Sequence, residues 1–263
     1  MTTKRTYEHA AEYPVKARVA RLLWLVSIAM TLAALPCPAL SDVSYTPASK
    51  AAMATIDIFG QIGPDDLKHF IAFSKMARAE RGATYFIRLN SVGGSMETAL
   101  SIGRTVRADR AWAAVPRDSE CLSACVFVLA GATVRIVDGL VGIHRPYSAA
   151  FIQTTPDLQK ENYDRLGAEV KEYLRAVNIP DELYDRMLRI PPDRVMVLSN
   201  DELQRYGLNE NDPYDEAARI ASHAASIGIS VEEYIQRQVA ADQICSQSRD
   251  FAECYVRYVA TGK

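Results

Sequence analysis

Between Met53 and Ile143, short apolar runs of strand character alternate with segments whose apolar residues recur at three- and four-residue spacing. That alternation restricts the region to an α/β fold. Met53 to Phe59 is a strand ending at Gly60. Pro64 and Asp65 open a helix with Leu67, Phe70, Ile71, Ser74 and Ala77 on one face. Thr84 to Leu89 is a second strand, Asn90 to Ser95 a glycine-containing loop, and Met96, Ala99, Leu100, Gly103 and Val106 the face of the next helix. Ala111 to Val115 is a third strand. Leu122 to Ala130 is apolar enough to be a short buried helix, and Thr133 to Val137 and Leu140 to Ile143 are strands around an Asp138-Gly139 turn. Past His144 the pattern becomes helical: Pro156 to Val177, then Pro180 to Leu188, closed by Pro191-Pro192. Val195 to Leu198 reads as a last strand, and a helix from Ser199 to Tyr206 stops at Gly207. From about Pro213 the chain is helical in character.

The first forty residues read as an address. Lys4, Arg5, Lys16, Arg18 and Arg21 precede an apolar run from Leu22 to Leu35, and Ala39 and Ser41 put small side chains before a cut at Asp42. That run is shorter than the ~20 residues that span a bilayer. The expected organisation is a signal peptide over residues 1–41, an α/β domain over 42–212 and a helical extension over 213–263. The product is exported, to the periplasm or beyond, or stays membrane-anchored if the signal is not cleaved.

Net charge is −2, from 30 Lys+Arg against 32 Asp+Glu, so no basic excess drives binding to nucleic acid. Four of the five cysteines follow the signal segment: Cys121, Cys125, Cys245 and Cys254. In an oxidising compartment an even number suggests disulfides, with three pairings open. Local pairing, Cys121 with Cys125 and Cys245 with Cys254, is the expectation; buried free thiols are the alternative. Their spacing matches no finger-type metal site, so no metal is expected.

Three places could carry chemistry. Gly93-Gly94 lets backbone approach a ligand and aim N–H groups at developing negative charge. No G-x-G-x-x-G and no P-loop lysine accompanies the pair, so no nucleotide cofactor is implied. Ser123 stands between a polar loop, Arg117 to Glu120, and the apolar helix. A serine there is an N-cap unless a base lies nearby. His144 ends an apolar strand, whereas His69 is on a polar helix face and His223 in the tail.

These segments resemble the Clp protease proteolytic subunit, within the ClpP/crotonase-like superfamily, and its exported, poorly characterised relatives. The resemblance runs from about Ile56 to Leu208. The family's Asn-Ser-Pro-Gly-Gly stands as Asn90-Ser91-Val92-Gly93-Gly94, with valine for proline. Its Ala-Ser-Met-Gly helix stands as Leu122-Ser123-Ala124-Cys125, and its Ile-His-Gln-Pro as Ile143-His144-Arg145-Pro146. The family's closing Asp-Arg segment, ending in Tyr-Gly-Leu, is similar to Asp193-Arg194 and Tyr206-Gly207-Leu208, with two extra residues between.

The resemblance implies a repeated ββα spiral core and a Ser-His-Asp triad. Ser123 is the implied nucleophile, His144 the base, Asp193 the orienting acid, and Gly94 and Ala124 the oxyanion donors. It implies a serine peptidase or acyl hydrolase without a cofactor, acting on peptide or protein substrates and assembling into rings or smaller oligomers. An exported protein has no ATP supply, so no ATP-driven unfoldase is expected. The other reading is a catalytically inactive scaffold that binds a protein partner in the periplasm. The Val92 departure, the insertion after Asp193 and the helical tail favour it.

Overall fold

The computed structural model describes residues 42–80, 84–147 and 154–263. The expected signal segment lies outside the described residues. Those that follow form one compact unit, a mixed α/β fold with a helical C-terminal region.

Its strands are β1 (Asp42–Thr46), β2 (Thr55–Ile62), β3 (Phe86–Gly94), β4 (Trp112–Val115), β5 (Glu120–Leu122), β6 (Val134–Val137), β7 (Leu140–Ile143) and β8 (Met196–Val197). They join in one sheet of order β1-β2-β3-β5-β7-β8, with β4 branching from β3 and carrying β6 beyond it. β1 and β8 run antiparallel to their neighbours and every other pair is parallel. Alternation explains the two faces. Ile56, Ile58, Ile87 and Leu89 point into the main core, under α1 (Asp66–Ala79), α2 (Met96–Ala108) and α3 (Cys125–Gly131). The opposite face carries Asp57 and Arg88, in register across β2 and β3 and joined by two hydrogen bonds of 2.6 and 2.8 Å.

The remaining helices are α4 (Pro156–Ala176), α5 (Glu182–Leu188) and α6 (Asn200–Arg205), followed by α7 (Pro213–Ser226), α8 (Val231–Cys245) and α9 (Phe251–Thr261). The last three share a small apolar cluster of Ala224, Tyr234, Ala241 and Val259. Cys245 at the end of α8 is bonded to Cys254 on α9, and Cys121 to Cys125. Both expected local disulfides are therefore formed.

Three expectations need correction. Asn90 to Gly94 is not a loop: these residues continue β3 alongside β2, across a bulge at Gly60/Gln61. Leu122 ends a strand and the apolar helix begins only at Cys125. The Asp138-Gly139 turn joins β6 and β7, yet they do not pair with each other. The N–H groups of Asp138 and Gly139 both donate to Val115 O, and Leu140 N–H donates to Ser119 O. The turn is thereby held against the β4–β5 loop, and the chain crosses from the β4 branch to the β5 side.

One buried charge cluster clips the C-terminal helices to the α/β core. The Asp212 carboxylate caps α7 by accepting from Tyr214 and Asp215 N–H, at 3.1 and 3.0 Å. It also accepts from Arg107 on α2 at 2.7 Å and from Asn178 after α4 at 2.9 Å. Arg135, fully enclosed, stands 3.7 Å away and donates to the carbonyls of Gly207, Ala130 and Val177. Burial pushes the Arg135 guanidinium down to about 10, aided by Arg107 and opposed by Asp212. Burial alone would raise the Asp212 carboxyl, but hydrogen bonds from Arg107, Asn178 and Asp215 outweigh it and hold the group below the ordinary carboxylate range.

Because the folded carboxyl is the stronger acid, its contribution is full at neutral pH and disappears as pH falls through its folded value. Asp212→Ala leaves two guanidiniums uncompensated and should cost about 3 kcal/mol at pH 7. Urea unfolding of wild type and variant should converge toward strongly acid pH; a pH-independent difference would refute the charge argument.

Candidate active site

Ser91 on β3, Cys121 on β5 and Val141 on β7 lie side by side in register. The three parallel strands therefore end together, at the edge where α/β folds place ligands. Beyond that line stand Gly93-Gly94, Ser123 and His144. Ser91 is itself buried: its hydroxyl donates to Gly60 O at 2.6 Å and accepts from Gly93 N–H at 3.1 Å. The bulge and the glycine pair are thus held by one side chain.

Ser123 occupies the turn between β5 and α3 with φ of 55°, in the left-handed region. For a residue with a Cβ that conformation costs roughly 1–2 kcal/mol. Three contacts hold it. Ser123 N–H donates to Gly142 O at 2.8 Å. The Cys121–Cys125 bond closes the turn from behind, with both sulfur residues wholly buried. Gly93 presses on its front: a Cβ there would lie 2.6 Å from Leu122 O, 2.8 Å from Ser123 Cβ and 2.9 Å from Ala124 N. Only a glycine admits this approach. The Ala124 N–H donates no hydrogen bond among the described residues, so it is available to an incoming oxygen.

Ser123, Gly94 and His144 line one cavity of about 690 Å³. Met96 and Leu100 of α2 and Leu166 of α4 supply apolar wall, and Gln61, Glu97 and Glu169 supply polar wall. Sequence reading singled out none of these as site residues. Only the helical spacing of Met96 and Leu100 gave a signal, and it was a signal for core packing.

His144 is half-buried and its Nδ1 lies 2.9 Å from the Arg145 carbonyl oxygen. A carbonyl can only accept, so this bond places a proton on Nδ1, and in the neutral ring Nε2 then carries the lone pair. The Arg145 N–H is tied in turn to Ile190 O at 2.9 Å, and Pro146 is buried. Asp193 lies in the stretch between α5 and β8, three residues past Ile190; it is exposed and outside the cavity lining. Among the described residues no hydrogen bond joins Asp193 to His144, or His144 to Ser123. Ser123, Gly94 and His144 thus share one cavity, Ala124 follows Ser123 in the chain, and Asp193 does not line that cavity. Lys160 and Lys171 are paired with Asp164 and Asp185, away from the cavity.

No family model matches the sequence, and no curated protein matches it. Among solved structures, the chain is similar to a mutant of ClpP1 from Listeria monocytogenes, at 17% identity and a TM-score of 0.47, over 59% of this chain and 88% of that one. It is also similar to a mutant of the membrane-bound stomatin-specific protease 1510-N, at 17% identity and a TM-score of 0.46, over 62% of this chain and 81% of that one.

Gly93→Ala should displace the Ser123 turn, because the added methyl meets backbone and a Cβ with no room to shift. Its φ of 90° adds strain of about 1–3 kcal/mol. The expected result is a lower melting temperature. A variant as stable as wild type would disprove the contact.

Proposed function

We propose that the protein is a serine hydrolase that cleaves peptides, loose polypeptide or small esters in an oxidising compartment outside the cytosol. The observation that carries this reading is the opening of Ser123 and His144 onto one cavity from the ends of neighbouring parallel strands. Ser123 Oγ attacks the substrate acyl carbon while His144 Nε2 takes its proton. The N–H groups of Ala124 and Gly94 receive the oxyanion, a role in which one donor is worth about 3 kcal/mol of barrier. His144 returns the proton to the leaving group, and water then attacks the acyl-enzyme by the same route in reverse. Catalytic hydrogen bonds are often long in an unliganded site and tighten when substrate binds.

In a Ser-His-Asp triad the acid fixes the imidazole's tautomer. Here Asp193 is exposed and the Arg145 carbonyl already accepts from Nδ1. We assign the orienting role to that carbonyl. Two buried or half-buried disulfides and the expected signal segment support a compartment where thiols are oxidised. Without ATP, substrates would be chains that need no unfolding. Assembly with further copies of itself remains part of this proposal, carried by the family resemblance alone.

A second reading, an inactive scaffold that binds a protein partner in the periplasm, draws on the missing Ser123–His144 hydrogen bond and the outlying Asp193. Turnover separates the two. A fluorophosphonate probe should label the wild type on Ser123, fail on Ser123→Ala, and label His144→Gln at least ~100-fold more slowly. Folded wild type that resists the probe would favour the scaffold. Asp193→Asn distinguishes the orienting groups: a carboxylate role lowers the rate about 10⁴-fold, whereas the carbonyl leaves it within about threefold.

A further inference from the structure

Cys121 and Cys125 bracket Ser123, two residues away on either side, and their bond closes a ring of five residues with the serine at its centre. Cys121 is anchored in β5 between β3 and β7, and Cys125 is the first residue of α3. Between these fixed points the chain must turn through the left-handed conformation at Ser123. With the sulfurs joined, the ends of the turn are held at one separation. With free thiols that covalent restraint is gone, and only the Ser123 N–H bond to Gly142 O and the Gly93 contact hold the turn.

We propose, resting on the serine hydrolase reading, that Ser123 becomes a competent nucleophile only when Cys121 and Cys125 are joined. The chain is then silent while its thiols are reduced and is activated by oxidative folding. The chemistry is thiol–disulfide exchange with an external disulfide such as oxidised glutathione. One cysteine thiolate attacks it and releases a thiol, and the second cysteine, deprotonated, displaces the other. Two protein thiols lose two protons and two electrons in all, and the external disulfide is reduced to two thiols. Both sulfur residues are wholly buried in the folded protein, so the bond resists reduction once formed. The device works once, at maturation, and is not a reversible switch. Cys121 and Cys125 act here as positioning residues, through the backbone of Ser123.

The test uses the full chain, unfolded and reduced, then refolded with either oxidised glutathione or excess dithiothreitol. The readouts are the fluorophosphonate labelling rate, circular dichroism and melting temperature. Labelling of the oxidised form should exceed that of the folded, reduced form by at least tenfold, measured well below both melting transitions. Cys121→Ala/Cys125→Ala should match the reduced form, and Cys245→Ala/Cys254→Ala should label like wild type. Equal labelling of oxidised and reduced protein overturns the proposal and leaves the hydrolase standing. Oxidised wild type that folds but never labels overturns the hydrolase reading, and this inference with it. If the double alanine variant does not fold, Cys121→Val/Cys125→Ala restores the lost volume. If neither variant nor the reduced chain folds, the bond serves stability alone and the proposal fails.

Discussion

Everything at the site depends on the parallel register that sets Ser91, Cys121 and Val141 abreast. A parallel ladder carries each strand's end to the same edge of the sheet, so three chain segments distant in sequence arrive together. The glycine pair comes from β3, the serine from β5 and the histidine from β7. Slipping β5 by one residue would send its side chains to the opposite faces. It would put Cys121 outward and remove its bond to Cys125. The disulfide and the ladder are therefore two statements of one alignment, since each is satisfied only in the register that satisfies the other.

Much of this architecture was legible because hydrophobic period reports burial. The faces of α1 and α2 carry apolar residues at the spacing that packs them on the sheet. The strands bearing Ile56, Ile87 and Val141 are apolar enough to be buried. Local pairing of the cysteines followed from their closeness along the chain. What misled was residue type taken as geometry. Gly93 and Gly94 suggest a turn, yet β3 runs through them, because strand pairing with β2 across a bulge outweighs glycine's weak strand preference. Asp138-Gly139 has the composition of a hairpin turn, but its backbone donors are taken by Val115 and its flanking strands find other partners. Strand β1 was missed altogether; it is a short edge strand with few buried side chains.

The candidate site was legible to the same degree. Ser123 and His144 sit where apolar elements end and polar atoms reach a cavity, which sequence can suggest. The exposure of Asp193, outside the cavity lining, is different, since it depends on the path of a segment after α5 that no periodicity describes. The Arg145 carbonyl is more hidden still. Every residue has such an oxygen, and only the fold decides which one meets a histidine nitrogen. The same holds for Asp212 and Arg135, whose pairing joins parts of the chain 77 positions apart.

The two demanding features of the molecule are handled in opposite ways. At the joint with the C-terminal helices, charge is buried and answered by charge, with Asp212 met by Arg107, Asn178 and two backbone N–H groups. At the site the unfavourable element is conformational, a left-handed serine, held by a backbone hydrogen bond, a disulfide and a glycine contact. A backbone hydrogen bond such as Ser123 N–H to Gly142 O contributes about 1 kcal/mol net. That is comparable to the strain and leaves little margin for the turn on that bond alone. Gly93 blocks motion toward β3 but does not pull the ends of the turn together. The covalent bond between Cys121 and Cys125 does so without placing a polar group beside the serine. The Ala124 N–H next to Ser123 is left without a hydrogen bond among the described residues, and the turn is held from its buried side.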